Sequence, residues 1–271
     1  HRPGARLVLP AAVLAAVVLG ALAAGGYLVP ATAPQPAAGE PSASPTDAGV
    51  PSPVPTDGLS LPPGLDPPPG LGTPNPTVGV RRPADVLVDW AARTAAKVGV
   101  PPVAMQAYGY AELALSQTLP GCHLTWTTLA AIGKVESAHG SANNANLLAD
   151  GRAFPSITGD PLNGQGGRAA IPDTDEGALD NDRTWDRAVG PMQFIPGTWQ
   201  TQAVDADNDG IRDPNDIDDA ALAAGNYLCR GGRDLAQIGD WWAAILTYND
   251  VQPYARAVYD AANDYGVRSR T

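Results

Sequence analysis

The pattern of apolar and polar positions predicts a helical domain in the second part of the chain. From residue 84 onward, apolar residues recur at the three- and four-residue spacing of amphipathic helices, and no alternating strand pattern of any length is present. Prolines and glycines mark where several of these helices begin and end. The predicted helices span residues 85–98, 101–117, 124–140, 218–229, 240–249 and 252–265. We therefore expect a mainly α domain over residues 84–271.

An apolar segment lies near the N-terminus. Residues 7–28 contain no charge and match the about 20 residues that a membrane-spanning helix needs. Residues 1–6 carry two arginines, and positive charge on that side predicts a cytoplasmic N-terminus with the rest of the chain outside. A signal peptide cleaved after about Ala33 is the alternative, and it would release a secreted protein. Both interpretations place the remainder of the chain outside the cytoplasm.

A linker is predicted between this segment and the domain. Residues 29–83 are rich in proline, alanine and serine and poor in large apolar residues, so they bury too little surface to offset the entropy of ordering. We expect a disordered or polyproline-like tether that carries the domain away from the membrane.

The net charge is −11, which argues against nucleic-acid binding because such proteins show a basic surface. It also means that overall charge would not attract an anionic polymer. Recognition of such a polymer would depend on local hydrogen bonds and aromatic stacking.

One carboxylate lies on the apolar side of the helix predicted at 124–140. Glu136 follows Leu129 and Ile132 at helical spacing, with Thr125 as the candidate N-cap and Gly140 as the left-handed residue that ends the helix. Loss of solvation and the negative end of the helix dipole both raise the pKa of a carboxyl group there. A carboxylic acid protonated near neutral pH is what general-acid cleavage of a glycosidic bond requires. The alternative is an exposed glutamate at a fraying helix end.

A long irregular segment, residues 141–187, follows this helix. Loops of this length are uncommon in compact domains and are usually functional or mobile. We interpret the segment as a wall or lid of a substrate cleft, with room for a short hairpin. Its carboxylates either face the site or belong to a solvated acidic loop; they are Asp173, Asp175, Glu176 and Asp186.

The next stretch, residues 188–199, is largely apolar and contains Gln193, which either bonds internally or contacts a ligand. Gly190 in the same stretch allows a close approach of another backbone segment.

Residues 205–216, DADNDGIRDPND, have the spacing of an EF-hand calcium loop. The predicted oxygen ligands are Asp205, Asp207, Asp209, the carbonyl of Ile211, Asp213 and Asp216. Asp216 stands where a glutamate normally supplies two oxygens, so the loop would bind calcium less tightly or admit magnesium. The alternative is an acidic turn without metal. We expect any calcium to be structural rather than catalytic.

Cys122 and Cys229 are the two cysteines of the chain. In an exported protein such a pair most often forms a disulfide, and two buried free thiols are the alternative. No Cys/His cluster indicates zinc. His123 and His139 flank the helix at 124–140, and we expect solvated or capping roles for both.

Taken together, these motifs resemble the lytic murein transglycosylases of the B type, in their exported or membrane-anchored actinobacterial branch. The resemblance covers about residues 86–265. It rests on KVES at 134–137 followed by His139-Gly140, AVGPMQFIP at 188–196 followed by TW at 198–199, the calcium-type loop, and Tyr248-Asn249 followed by Tyr254. Val251 stands where the family often has a serine.

The resemblance implies a lysozyme-like (goose-type) helical fold and cell-wall remodelling activity. It implies non-hydrolytic cleavage of the β-1,4 bond between N-acetylmuramic acid and N-acetylglucosamine in peptidoglycan, which leaves a 1,6-anhydro end. Glu136 would be the single catalytic acid and base, and no cofactor is needed for catalysis. The substrate-binding residues would be Gln193, Met192, Tyr248, Asn249 and Tyr254. The implied partners are glycan strands and, through the N-terminal helix, the membrane; no protein partner is indicated.

Two other functions remain compatible with the sequence. A hydrolytic muramidase of the same fold would need a second carboxylate to position water, with Asp173, Asp175 and Glu176 as candidates. A non-catalytic wall-binding protein would also suit the anchor and linker.

Overall fold

The structure, a computed structural model, describes residues 82–271. Within them the chain forms seven α-helices and four short strands. The helices are α1 Val88–Val98, α2 Pro102–Thr118, α3 Trp126–Ser137, α4 Pro196–Gln202, α5 Ile217–Leu228, α6 Ile238–Tyr248 and α7 Gln252–Ser269. The strands are β1 Asn146–Leu147, β2 Ala153–Phe154, β3 Thr158–Pro161 and β4 Arg187–Val189. The prediction of a mainly helical domain is confirmed.

The predicted segments at 1–6 and 7–28, and the linker up to residue 81, lie outside the described residues. Among the helices of residues 82–271, none combines the length and the apolar character needed to cross a bilayer. The described fold begins slightly before the predicted boundary at residue 84. Arg82 is buried, and Pro83 opens a 3-10 turn, Pro83–Leu87, that leads into α1.

The helix that carries Glu136 differs from its prediction at both ends. The Thr125 side chain makes no capping bond; instead the Trp126 N–H donates to a carboxylate oxygen of Glu112 at 2.6 Å. The helix ends at Ser137, earlier than predicted. Left-handed backbone begins at Ala138 and continues to Gly140, where φ is 81°. The chain therefore reverses direction immediately after the catalytic candidate.

The hydrophobic core surrounds α2 and α3. Helix α2 packs against α1, α3 and α5, while α3 packs against α7. Glycines permit two close approaches: a Cβ atom at Gly133 would lie 2.1 Å from the Tyr108 hydroxyl, and one at Gly225 would lie 2.5 Å from Leu115 Cδ1. Burial of these apolar faces is the main favourable term in folding, at roughly 25 cal/mol per Å².

Cys122 and Cys229 form a disulfide, as predicted, with their Cα atoms 5.5 Å apart. The bond joins the turn before α3 to the end of α5 and closes a loop with a sequence separation of 107. Cross-links that close loops of this size stabilise a fold by about 4 kcal/mol, in part by restricting the unfolded chain.

The segment 141–187 is more ordered than its composition indicates. Strands β1 and β2 form an antiparallel hairpin, and β3 pairs antiparallel with β4 across the rest of the loop. The predicted short hairpin is therefore present. Trp241 and Trp242 both pack against the core, where Trp242 stacks on Tyr259.

Candidate functional site

Glu136 lies at the C-terminal end of α3, one residue before the helix ends, and its side chain is half-buried. Tyr254, near the start of α7, donates a hydrogen bond from its hydroxyl to Glu136 Oε1 at 2.6 Å. Burial raises the pKa of Glu136 from 4.5 to about 8, and the bond from Tyr254 offsets part of that rise. The carboxyl group is therefore largely protonated at neutral pH, as a general acid must be. The exposed-glutamate alternative does not fit this burial.

Tyr254 and Met192 lie behind the surface of the site. Both side chains are fully buried, although the family resemblance counts them among the substrate-binding residues. Tyr254 acts on Glu136 directly through its hydroxyl. Met192 packs toward α3, where a Cβ atom at Gly133 would lie 3.4 Å from its sulfur. We infer that these two residues shape the site from below, because neither side chain is exposed to an incoming glycan.

Tyr248 ends α6 and is half-buried beside Glu136. Its hydroxyl donates to the Met192 carbonyl at 2.7 Å. Burial raises the pKa of Tyr248, and the negative charge that Glu136 can carry raises it further. The ring also makes an edge contact with Phe194, at 6.0 Å between centroids. Asn249 follows at the helix end and is buried, so it supports the site from within.

The turn 189–194 lies against the end of α3 and forms one wall of the site. Val189 and Phe194 close it with two backbone hydrogen bonds of 2.8 and 2.9 Å. Gly190 has a φ of 77°, and a Cβ atom there would lie 1.7 Å from the carbonyl oxygen of Pro214. The predicted close backbone approach at this glycine is confirmed.

Gln193 projects from the same turn with a φ of 50°, an uncommon value for a residue other than glycine. Its Nε2 donates to the Gly190 carbonyl at 2.9 Å, which is the internal bond that the sequence allowed. Its Oε1 faces Gly159 of β3, where a Cβ atom would lie only 3.1 Å away. The side chain is half-buried, so its amide is held in one orientation at the edge of the site.

Ser137 joins the two walls, a role that the sequence analysis missed. Its Oγ donates to the Pro191 carbonyl at 2.6 Å and accepts from the Gly140 N–H at 2.8 Å. One hydroxyl thus fixes the end of α3 to the turn 189–194 and stabilises the chain reversal. The position of Ser137 next to Glu136 could have indicated a role in the site. Its hydrogen bond to Pro191 could not be predicted from residue spacing.

His139 is buried, contrary to the solvated or capping role expected for it. Its ring nitrogens lie 3.2 Å from the Tyr108 hydroxyl and 2.9 Å from the Tyr265 hydroxyl. Burial lowers the pKa of His139 from 6.5 to about 4, and the charge of Lys134 lowers it further, so the ring is neutral near pH 7. His123 is exposed as expected and pairs with a carboxylate at 2.6 Å.

The carboxylates of segment 141–187 organise their own loop. Asp173 and Asp175 accept hydrogen bonds from nearby backbone N–H groups, and both oxygens of Asp186 accept from Thr174. Asp173, Asp175 and Asp186 bring oxygens within 4.8 Å of one another. Glu176 is exposed on the same loop. The bonds described for these carboxylates are local ones and do not connect them to Glu136.

The Asp-rich loop brings three of its predicted ligands together. Asp205, Asp207 and Asp209 each offer a carboxylate oxygen within 4.8 Å of the other two. Asp205 Oδ1 is buried without a hydrogen-bond partner, and an oxygen in that state fits a cation. Asp213 and Asp216 lie outside this group of three: Asp213 bonds the Asn215 N–H, and Asp216 caps α5. Ile211 has an exposed side chain, and its predicted contribution was its carbonyl oxygen.

Two residues behind this loop were not anticipated. Asp219 accepts from the Ala206 N–H at 2.6 Å and from the Asp213 N–H at 2.9 Å, so it holds both ends of the loop. Arg82 pairs with Asp218 at 2.8 Å, with both side chains almost fully buried. Residue periodicity does not predict either contact. Arg82 and Asp218 are 136 positions apart in the sequence, and Asp219 bonds backbone groups 13 and 6 positions away.

Comparison with known proteins finds one family model that matches part of the domain. The transglycosylase SLT domain matches residues 173–238. The matched part contains the turn 189–194 and the Asp-rich loop, and it begins after Glu136. The match supports a lytic transglycosylase-type family and an enzyme that acts on peptidoglycan. No curated protein and no solved structure matches the chain.

Proposed function

We propose that this transglycosylase-type domain is a lytic murein transglycosylase, with Glu136 as its single acid and base. It cleaves the β-1,4 bond between N-acetylmuramic acid and N-acetylglucosamine and leaves a 1,6-anhydro-muramyl end. The observation that carries the proposal is the state of Glu136: a half-buried carboxyl group with a pKa of about 8, held by the Tyr254 hydroxyl at the end of α3.

The first step uses the protonated form of Glu136. The carboxyl group gives its proton to the glycosidic oxygen while the bond to the muramyl C1 breaks, so the electron pair leaves with the N-acetylglucosamine oxygen. The substrate's own acetamido group stabilises the positive charge that develops at C1. This substrate assistance removes the need for a second protein carboxylate.

The second step uses Glu136 as a base. The carboxylate removes the proton from the muramyl 6-hydroxyl while that oxygen attacks C1, which closes the anhydro ring and restores the acid. Tyr254 matters here because its donated hydrogen bond favours the ionised form of Glu136. One residue thus passes through both protonation states without water entering the reaction.

Gln193 and Tyr248 are proposed to orient the glycan. Both are half-buried at the edge of the site and fixed by hydrogen bonds, so their positions change little when substrate binds. Asn249, Met192 and Tyr254 are proposed to support them from the interior.

The domain is further proposed to act outside the cytoplasm, anchored by residues 7–28 or secreted, in cell-wall remodelling, and to belong to the B type of the actinobacterial branch. The support is the sequence pattern described above. The Asp-rich loop is proposed to hold a structural calcium ion through Asp205, Asp207 and Asp209, together with groups at 211, 213 and 216. Its contact with the wall of the site, where Gly190 meets Pro214, would let that ion stabilise the wall.

A hydrolytic muramidase of the same fold is the second candidate. It requires a carboxylate that positions water opposite Glu136. Asp173 and Asp175 are committed to backbone N–H groups of their own loop, which favours the non-hydrolytic reaction. A non-catalytic wall-binding protein is less well supported, because binding alone does not require a glutamate whose pKa is raised to about 8.

The test is digestion of purified peptidoglycan by the protein and by Glu136→Gln, followed by mass spectrometry of the soluble products. The proposal expects muropeptides lighter by one water than those released by a lysozyme, and none from Glu136→Gln. Reducing-end products would favour the muramidase. No products from either protein, while a control enzyme works, would favour the binding protein.

A further inference from the structure

The β1–β2 hairpin has one face toward the core and one toward solvent. Leu147 and Ala153 lie opposite each other and face inward, whereas Asn146 and Phe154 form the next pair, on the solvent face. Phe154 is 69% exposed and Leu148, on the same hairpin, is 42% exposed. The solvent face therefore presents a phenyl ring, an aliphatic side chain and a side-chain amide.

Phe154 is unusual among the aromatic residues. Within residues 82–271 every other phenylalanine, tryptophan or tyrosine is buried or half-buried. An exposed phenyl ring has no polar group that interacts with water, so its apolar face is available to a partner. A flat apolar ring matches the C–H face of a pyranose, and a neighbouring amide matches its hydroxyl and acetamido groups.

The hairpin is fixed to the site at two points. Leu147 packs on Gly140, four residues after Glu136, so closely that a Cβ atom at this glycine would lie 2.7 Å from Leu147 Cδ2. After β2, the chain reaches Ile157, whose carbonyl accepts from the Gly190 N–H at 2.8 Å. The hairpin is thus attached to the end of the catalytic helix and to the turn that carries Gln193.

Strand β3, which begins directly after these contacts, continues along the same wall. Thr158 pairs with Val189, and Gly159 faces the Gln193 amide oxygen. The polypeptide therefore runs from the exposed ring of Phe154 to the edge of the site within five residues.

We propose that the solvent face of the β1–β2 hairpin is an outer subsite for the glycan strand, with Phe154 as the residue that stacks on a sugar ring. The inference rests on the proposed function, since it takes the same polymer as ligand. The chain's net charge of −11 gives no bulk attraction for an anionic wall polymer, so retention depends on local contacts of this kind.

The inference is tested by binding, with cleavage disabled. Full-length Glu136→Gln is mixed with insoluble peptidoglycan, and the bound fraction is measured by sedimentation over a range of peptidoglycan concentrations. Adding Phe154→Ala is expected to weaken binding about tenfold, the loss that corresponds to one stacked ring face. Adding Phe154→Trp instead is expected to preserve binding. Ile238→Ala, also in the Glu136→Gln protein, is the matched control, because Ile238 is 63% exposed but lies at the start of α6.

Equal binding of the Phe154→Ala and parent proteins, within twofold, would overturn the inference. So would an equal loss with Ile238→Ala, which would indicate a general effect of surface hydrophobicity. Melting curves of the Phe154→Ala and parent proteins should nearly coincide, since most of the ring is exposed to solvent.

Failure of the proposed function has a different signature. If wild-type protein releases no product, while binding still depends on Phe154, the chemistry is wrong and the binding face stands. If wild-type protein releases anhydro products and Phe154→Ala binds as the parent does, only the inference fails.

Discussion

Replacement of Glu136 by glutamine should make the protein more stable, and increasingly so as the pH rises. The pKa of Glu136 is about 8 in the folded state against 4.5 ordinarily, so between these values the folded protein holds a proton that the unfolded chain has released. Folding then takes up a proton, and the stability of the wild type falls as the pH rises through this window. Glutamine is neutral throughout and still accepts the Tyr254 hydrogen bond, so it escapes this penalty.

The size of the effect follows from the burial of the group. Each pKa unit is worth about 1.4 kcal/mol, so the full shift sets an upper bound near 5 kcal/mol above about pH 8. Glu136 is only half-buried, and solvent reduces the penalty. We therefore expect Glu136→Gln to be more stable than the wild type by roughly 2 kcal/mol at pH 8–9, after this discount. For a domain of this size that corresponds to a difference in Tm of about 4–8 °C.

The assay is thermal or urea denaturation of both proteins from pH 4 to pH 9. The two free energies of unfolding should nearly coincide at pH 4 and separate progressively above pH 5. A difference that does not change with pH would refute the argument, because it would show that Glu136 ionises in the folded protein as it does in the unfolded chain.

Four further predictions concern other parts of the structure. Gly190→Ala should lower the free energy of unfolding by at least about 2 kcal/mol, because its Cβ atom would overlap a carbonyl oxygen. Gly167→Ala is the control, because Gly167 has a similar φ of 80° but a Cβ atom there would have nothing within 4 Å. It should lower the free energy of unfolding by only about 1 kcal/mol, which is the cost of the left-handed backbone alone. Tyr254→Phe should raise the pKa of Glu136 further and move the alkaline limit of activity to higher pH, and a pH–rate profile that stays in place would contradict this. Calcium should raise the Tm of the wild type, the chelator EGTA should reverse the rise, and Asp207→Asn should respond much less; identical responses would exclude this loop as the site. Cys229→Ser should destabilise the fold by about 4 kcal/mol in urea titrations, and a change below 1 kcal/mol would show that the cross-link adds little.

The helices and the position of Glu136 could be predicted because both depend on local sequence. The spacing of apolar residues predicted both ends of α2, α6 and α7 to within a few residues. The same spacing placed Glu136 on the inward face. The disulfide could be predicted because the chain has only two cysteines and its sequence indicates export.

The contacts that shape the site could not be predicted because they join remote segments. The Ser137 bond to Pro191 and the burial of His139 depend on how α3 meets distant parts of the chain. The burial of Tyr254 likewise depends on how α7 packs on α3, which a motif does not specify. The predicted end of α3 lay too far along the chain, because a glycine is the strongest signal for the end of a helix. In the structure the left-handed turn begins at Ala138, which is not a glycine.

In the proposed reaction, Glu136 drives a cleavage in which water takes no part. The most direct measurement is digestion of peptidoglycan in water enriched in heavy oxygen, followed by mass spectrometry of the new muramyl ends. We expect anhydro ends that contain no heavy oxygen, and no product from Glu136→Gln. New ends that carry one heavy oxygen would show that water attacks C1, and the protein would then be a hydrolase.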